Sequence, residues 1–143
     1  MYVSHNVSVT RLGRRRAAPR RAAAAAELAI CLPLLVMLLL ASLEACSMIF
    51  LDHSLTIASY EGVRVAINYD GTNSAVLARC NQIVDDRGVA DATVSINPGN
   101  VASVPRGQPI AITVSAPCDA NAILPPWFYG GRTLSVTNTM VKE

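Results

Sequence analysis

The residues able to do acid, base or nucleophilic chemistry are few and poorly placed for it. There are two histidines, His5 and His53, and the second lies in the run Asp52-His53-Ser54. Neighbouring residues on a helix point in different directions, so these three side chains cannot form a triad among themselves. The cysteine spacings fit no zinc site, and neither a phosphate loop nor a dinucleotide fingerprint is present. The sequence therefore predicts no enzyme, metal site, cofactor or small-molecule substrate.

The composition indicates one membrane segment joined to one small domain. The chain has 143 residues, of which 52% are hydrophobic and 15% are charged. That balance is too apolar for an ordinary soluble domain and too polar for a protein with several spans. The remaining domain has a thin core, which a disulfide or a neighbouring subunit would help to stabilise.

The net charge of +2 conceals an uneven distribution of basic residues. Those that precede the apolar run are Arg11, Arg14, Arg15, Arg16, Arg20 and Arg21, with no acidic residue among them. An isolated arginine run would suggest nucleic acid, but arginines directly before a long apolar helix are typical of a cytoplasmic segment. We therefore predict that the N-terminus lies inside and that nucleic acid is not a partner. The alternative is a disordered basic tail that touches anionic lipid.

The predicted membrane span is the charge-free run Leu28–Leu43, with Glu27 before it and Glu44 after it. A bilayer core of about 30 Å needs roughly 20 apolar residues, and alanines 22–26 extend the run backwards. A cleaved signal peptide would have a shorter apolar core, so we predict a retained anchor. Glu44 is expected to reach water at the far interface.

The helix is predicted to continue beyond the membrane to Ile67, where residues 68–71 form a turn signal. Its apolar residues recur at spacings of three and four, as in a helical stripe. They are Met48, Leu51, Leu55, Ala58 and Gly62. A helix over residues 23–67 would be roughly 67 Å long, and Pro33 is expected to bend it.

Residues 68–143 are predicted to form a small α+β domain. Residues 74–89 have the period of a short helix ending near Gly88, and Asp85, Asp86 and Asp91 are expected to be solvated there. Residues 92–97, 109–116 and 132–141 are rich in β-branched residues and predict three antiparallel strands. Residues 120–131 predict an exposed loop, whose rings at Trp127, Phe128 and Tyr129 either fold back over the sheet, as we expect, or contact a partner.

Two cysteines are candidates for a disulfide. Cys31 and Cys46 lie in the membrane helix and behave there as small hydrophobic residues. Cys80 and Cys118 fall in the outer domain. If the predicted orientation is right, this domain lies in an oxidising compartment. A bridge between them would close a loop of about 40 residues and add roughly 3–4 kcal/mol, and we expect it to form.

The order of these features resembles the TadE-like family of tight-adherence pilus systems. The resemblance lies in RRAAAAAELAICLPLLVMLLLASLEACSMIF, followed by ASYEGVRVA. It consists of arginines, small residues, a glutamate, a proline, a second glutamate and a segment similar to R-E-G-A-R. The matching positions are Arg20, Arg21, Glu27, Pro33, Glu44, Glu61, Gly62, Val63 and Arg64. The tail GGRTLSVTNTMVKE is weakly similar, and the residues between are hardly similar at all.

The resemblance implies that a prepilin peptidase removes the basic leader. The glutamate is the fifth residue of mature pilin-like chains, which places the cut between Ala22 and Ala23, although glycine is usual before it. Glu27 would then pair with the α-amino group of a neighbouring subunit and set the axial register. If the leader is retained, Glu27 instead lies at headgroup level near the helix N-terminus.

The other matching positions are expected to serve helix packing, namely Pro33, Glu44, Glu61, Gly62 and Arg64. Glu61 and Arg64 are three residues apart, so an ion pair is easily formed. A glycine inside a helix costs about 1 kcal/mol relative to alanine. A close packing partner at Gly62 would explain that cost, and so would ordinary tolerance of one glycine.

The sequence thus predicts a pilin-like membrane protein with residues 1–22 as a basic cytoplasmic leader, 23–67 as a long helix that spans the membrane in its first part, and 68–143 as an extracytoplasmic domain. It would be a pseudopilin or minor pilin of the bacterial inner membrane, with pilin-like subunits, an inner-membrane platform and a prepilin peptidase as partners. One alternative is a permanently anchored envelope protein that binds a protein or cell-wall ligand. Another is an anchored secreted enzyme, for which the sequence offers no site.

Overall fold

The computed structural model describes residues 18–143, and their side chains from residue 22 onward. The helices and strands are α1 (Ala18–Ile67), α2 (Asn73–Asp86), β1 (Thr93–Asn97), β2 (Pro109–Pro117), α3 (Cys118–Asn121) and β3 (Thr133–Val141), with a 3-10 turn at Val101–Ser103. The fold is α+β, as the sequence predicts. The chain divides into two compact units, one ending at Leu38 and the other running from Leu39 to Glu143.

The described part of the first unit is an apolar helical segment. From Ala22 to Leu38 every side chain is exposed, including those of Leu32, Leu35 and Leu38. Within α1, residues 22–67 contain an 18-residue window with a mean hydropathy of 2.4 and none of its residues buried. Length and composition therefore make α1 able to cross a membrane. A helix so apolar on all sides needs lipid or other helices around it.

In the second unit α1 buries one stripe of side chains. The stripe consists of Met48, Leu51, Leu55, Ala58 and Gly62, all buried as their spacing predicts. Asp52 and His53 lie on the exposed side. Ser54, by contrast, is buried. Its hydroxyl donates to the carbonyl of Phe50 at 2.7 Å, so the helix itself satisfies this small polar group.

The end of α1 and the start of α2 follow local sequence signals. The turn after Ile67 is closed by the N–H of Gly71, which donates to the Asn68 carbonyl at 3.0 Å. Thr72 then caps α2, because its hydroxyl accepts the N–H of Ala75 at 3.3 Å. Gly88 has φ +63°, a left-handed conformation suited to glycine just after a helix.

The three strands form an antiparallel sheet in the order β1-β2-β3. The central strand alternates strictly, with Ile110, Ile112, Val114 and Ala116 buried toward the helices. Its other face carries hydroxyl groups, and Thr113 lies 2.8 Å from Thr137 of β3 through their side-chain oxygens. The sheet therefore has one apolar and one polar face, as antiparallel sheets commonly do.

The core of the second unit lies between this sheet and two helices. It contains Leu51 and Leu55 of α1, Val76 and Cys80 of α2, and Ile112 of β2. Fully burying one leucine contributes roughly 1.5–3 kcal/mol, so α1 supplies a large share of a small core. The long helix therefore completes the core of the sheet.

Candidate functional sites on the long helix

The side chains considered for catalysis are kept apart by the helix. Asp52 and His53 are exposed, whereas Ser54 is buried and donates within α1. Among the residues that the structure describes, no group of three or more His, Cys, Asp or Glu side chains could hold a metal ion. The geometry in this part of the chain therefore offers no Asp-His-Ser triad.

The residues predicted for processing and register lie at the start of α1. Ala22, Ala23 and Glu27 are all exposed in the described helix. Arg20 and Arg21 also belong to α1, while the predicted topology residues Arg14, Arg15 and Arg16 lie outside the described residues. An exposed carboxylate at position 27 is chemically free to take a cation as partner.

Glu44 is bound by the backbone of a distant loop. Its Oε1 accepts hydrogen bonds from the N–H of Phe128 at 2.8 Å and of Tyr129 at 3.0 Å. The residue is only 7% exposed. A buried carboxylate is costly unless hydrogen-bond donors replace its water, and these two N–H groups do so. The expectation that Glu44 reaches water is therefore wrong, because the backbone of the chain takes the place of the solvent.

The loop that binds Glu44 is residues 122–131, named here the aromatic loop. Its ends are held together by Asp119, whose Oδ2 accepts the N–H of Gly131 at 2.9 Å. Trp127 is 72% exposed and Phe128 is 63% exposed. Because both rings are this exposed, they do not fold back over the sheet, and that expectation is wrong for them. Tyr129 is half-buried, with the Arg132 guanidinium 5.9 Å from its ring centroid.

Glu61 pairs with two arginines. Arg64 Nη1 lies 3.7 Å from its Oε1, so the pair expected from the sequence is present. The sequence gives no sign of the second contact, in which Arg79 Nη2 of α2 lies 3.2 Å from Oε2. All three side chains are partly exposed, and such pairs are worth about 0–1 kcal/mol.

Gly62 has the close packing partner that would account for a glycine inside a helix. A Cβ atom at this position would collide with Sγ of Cys80 and would lie 3.3 Å from Cγ2 of Ile112. Glycine thus lets α1, α2 and β2 approach one another closely. Next to this contact, Cys80 donates from its thiol to the carbonyl of Ala58 at 3.4 Å.

The predicted disulfide between Cys80 and Cys118 is not shown. All four cysteines lie within the described residues and are free. Cys80 packs where Gly62 and Ile112 meet, whereas Cys118 follows Ile112 by six residues along the same strand direction. That separation is about 20 Å in an extended strand, and a disulfide needs Cα atoms within about 7 Å. Burial raises the pKa of Cys80 to about 11 and also raises that of Cys118.

One polar contact between sheet and helix has no signal in the sequence. Asn138 of β3 donates from Nδ2 to Oγ of Ser59 at 2.7 Å and more weakly to the carbonyl of Thr56 at 3.4 Å. Ser59 is fully buried. The pair fixes β3 against α1 by a bond that periodicity alone cannot reveal.

A comparison with known protein families gives a match to part of α1, the helix that carries these sites. Residues 22–64 match the family described as TadE-like protein. The resemblance expected from the residues is thereby confirmed over this segment. No match was found among curated proteins or among solved structures.

The TadE-like segment contains Glu27, Pro33, Glu44, Glu61 and Gly62. It includes both the exposed apolar run and the whole buried stripe from Met48 to Gly62. The match covers the part of α1 that is long and apolar enough to cross a membrane. The matched range ends before α2, the sheet and the aromatic loop. Conclusions about α2, the sheet and the aromatic loop therefore rest on their structure and not on the family match.

Proposed function

We propose that this chain is a pilin-like membrane protein, a pseudopilin or minor pilin, that acts in pilus biogenesis by helix packing and subunit interaction. The observation that carries the proposal is the exposed apolar run of α1 within the TadE-like segment. Apolar side chains on every face of a helix have to be covered by lipid or by other helices. A subunit that leaves the membrane for a filament exchanges the first environment for the second.

The domain plan follows from this proposal. Residues 1–22 form a basic leader in the cytoplasm, and 23–67 form the helix that spans the membrane in its first part. Residues 68–143 are the domain outside the membrane. Arg14, Arg15, Arg16, Arg20 and Arg21 set this orientation, because arginines flanking a span are retained on the cytoplasmic side. The compartment is the inner membrane of a bacterium.

Assembly is proposed to depend on Glu27. Cleavage between Ala22 and Ala23 would create an α-amino group close to a carboxylate at the same end of the helix. A carboxylate near hydrocarbon is stabilised by a positive partner, and the amino group of an adjacent subunit fits that need. The partners are then pilin-like subunits, an inner-membrane platform and a prepilin peptidase.

The first test is the N-terminus and intact mass of the protein purified from its native membrane. A chain that begins at Ala23 supports processing as a pilin. A chain that retains Arg14–Arg21 contradicts it. In that case the alternative is favoured, a permanently anchored envelope protein whose outer domain binds a protein or cell-wall ligand. The alanine at position 22 is consistent with this alternative, because glycine is the usual residue before the cut.

The second test separates the register role of Glu27 from anchoring. Glu27→Gln keeps the shape of the side chain and removes its charge. We expect it to abolish cross-linking between adjacent subunits at the start of α1 while membrane association stays unchanged. Glu61→Gln is the matched control, because it removes a charge from the same helix at a partly exposed surface pair. Equal cross-linking in both variants would contradict the register role.

A further inference from the structure

We propose that the aromatic loop is a second membrane contact, which places Trp127 and Phe128 in the headgroup region of the bilayer that α1 spans. The inference rests on the membrane anchoring proposed above and is independent of any role in a pilus. The aromatic loop itself lies outside the TadE-like segment. Four observations carry it: the height of the loop on α1, its lack of charge, the surface it shares with α1, and the two exposed rings.

Glu44 fixes the height of the loop. The N–H groups of Phe128 and Tyr129 bind its carboxylate at 2.8 and 3.0 Å, so the loop backbone lies beside this residue. In the sequence Glu44 directly follows the charge-free run Leu28–Leu43. From Ala23 to Leu43 a helix rises about 31 Å, close to the roughly 30 Å of a hydrocarbon core. Phe128 is thereby attached where hydrocarbon gives way to headgroups.

Several exposed apolar residues lie near Glu44. Residues 120–131 contain no charged side chain, and Ile123, Trp127 and Phe128 are all exposed. On α1, Ile49 and Phe50 are exposed just beyond Glu44. We name these five residues the apolar collar.

The collar joins loop and helix into one surface. Ile123 and Phe50 line one cavity, and Tyr129 and Ile49 line another together with Asp52 and His53. Single exposed apolar residues are ordinary on a protein surface, whereas a contiguous group of them marks an interaction site.

Lipid matches the chemistry of this surface better than a protein partner does. Tryptophan is enriched at membrane interfaces, where its ring is in an apolar layer and its N–H stays near water. Removing water from the collar leaves the Glu44 carboxylate paired, because the loop already supplies its donors. A protein partner would give no reason for an aromatic loop to be fastened at the residue that ends the apolar run.

The test uses the fluorescence of Trp127, which is the only tryptophan in the chain. The full chain is reconstituted in phosphatidylethanolamine–phosphatidylglycerol vesicles. We expect a blue-shifted emission, protection from aqueous iodide, and quenching by lipids brominated near the carbonyl group. Lipids brominated near the chain end should quench less, since the ring lies at the interface.

A matched variant reports the opposite end of the domain. In Trp127→Phe/Tyr69→Trp the probe moves to the turn after α1, where Tyr69 is 84% exposed. That turn is about 35 Å from Glu44 along the helix. We expect its emission to be that of an indole in water, with several-fold stronger iodide quenching and no quenching by brominated lipid.

The outcomes distinguish this inference from the anchoring on which it rests. If an alkaline wash removes the protein from the vesicles, anchoring by α1 fails and the inference falls with it. If the protein stays but Trp127 behaves like the control probe, anchoring survives and the inference is overturned. A blue-shifted Trp127 without bromine quenching also overturns it, because the ring then packs against protein.

Discussion

Two apolar stretches of the same helix differ in the burial of their side chains. Up to Leu38 every described side chain from Ala22 onward is exposed, while from Leu39 onward a stripe through Leu51 and Leu55 is buried. The first stretch is apolar on all faces and the second on one. The difference shows that periodicity, not mean hydropathy, separates a helix meant for lipid from one meant for its own domain.

The two glutamates that flank the apolar run make the same point for charge. Glu27 is exposed, whereas Glu44 is buried and receives two backbone hydrogen bonds. One carboxylate is available to another molecule, and the other already has its partners within the chain. The predictions that follow test these contrasts, beginning with the largest effect.

Placing charge in the all-apolar stretch should abolish membrane association. Leu35→Arg/Leu38→Arg puts two arginines mid-run, at a cost of about 5–7 kcal/mol for insertion. We expect the protein to leave the carbonate-resistant membrane fraction. Ile57→Arg/Tyr60→Arg has the same spacing on the exposed side of the second stretch and should remain in the membrane. If both variants fractionate alike, the two stretches do not differ as the comparison requires.

Removing the Glu44 carboxylate should loosen the aromatic loop. Glu44→Ala leaves the N–H groups of Phe128 and Tyr129 without their acceptor, and we expect a loss of about 2 kcal/mol in the free energy of unfolding. Urea titration in detergent micelles measures the loss, and amide hydrogen exchange over residues 124–131 should become faster.

The control for this change is Glu61→Ala, which removes an equally sized carboxylate from partly exposed ion pairs. Its expected cost is about 0.5 kcal/mol. If the two variants lose the same stability, the backbone bonds to Glu44 contribute no more than a surface pair.

Adding one methyl group at Gly62 should destabilise the second unit. Gly62→Ala gains helix propensity, worth about 1 kcal/mol, but forces Cβ against Sγ of Cys80. Overpacking costs about 1–3 kcal/mol, so we expect a net loss of about 1 kcal/mol. Adding Cys80→Ala removes the obstructing sulfur and should make the double variant more stable than the sum of the single changes. Strict additivity would show that the two positions are not in contact.

The last prediction is a pH dependence of stability due to Cys80, which is confined to alkaline pH. Burial raises the pKa of its thiol to about 11 in the folded chain, above the ordinary value of 9.0. Between these values the unfolded chain releases a proton that the folded chain keeps, so stability falls as pH rises. The slope is at most about 1.4 kcal/mol per pH unit. Cys80→Ala should flatten stability between pH 9 and 11 relative to the reduced parent, and parallel curves would contradict a buried thiol.

The elements of this fold are predictable because each has a local signal. The stripe from Met48 to Gly62, the turn after Ile67 and the alternation in β2 are all periodic or composed of turn residues. The structure follows them closely. The TadE-like match falls on α1, which carries the first of these signals.

The contacts that the sequence does not predict join residues far apart in the chain. The pairing of Glu44 with Phe128 and the bond from Asn138 to Ser59 depend on where the loop and β3 come to lie. Hydropathy places Glu44 at a membrane edge and therefore in water, but it cannot foresee donors arriving from the backbone of a loop. The absence of the expected bridge between Cys80 and Cys118 has the same origin, since spacing along the chain does not give distance in space.

The close contact at Gly62 also determines the rotational phase of α1 within its domain. Because α2 and β2 are in contact with the helix at this residue, the helix cannot turn about its own axis without driving a side chain into Cys80 or Ile112. The face left uncovered is therefore always the one that carries Ile49, His53 and Tyr60. Any neighbour that packs on this part of α1 contacts those residues. Gly62 thus determines which residues form the contact surface, although it is itself buried and does not contact the neighbour.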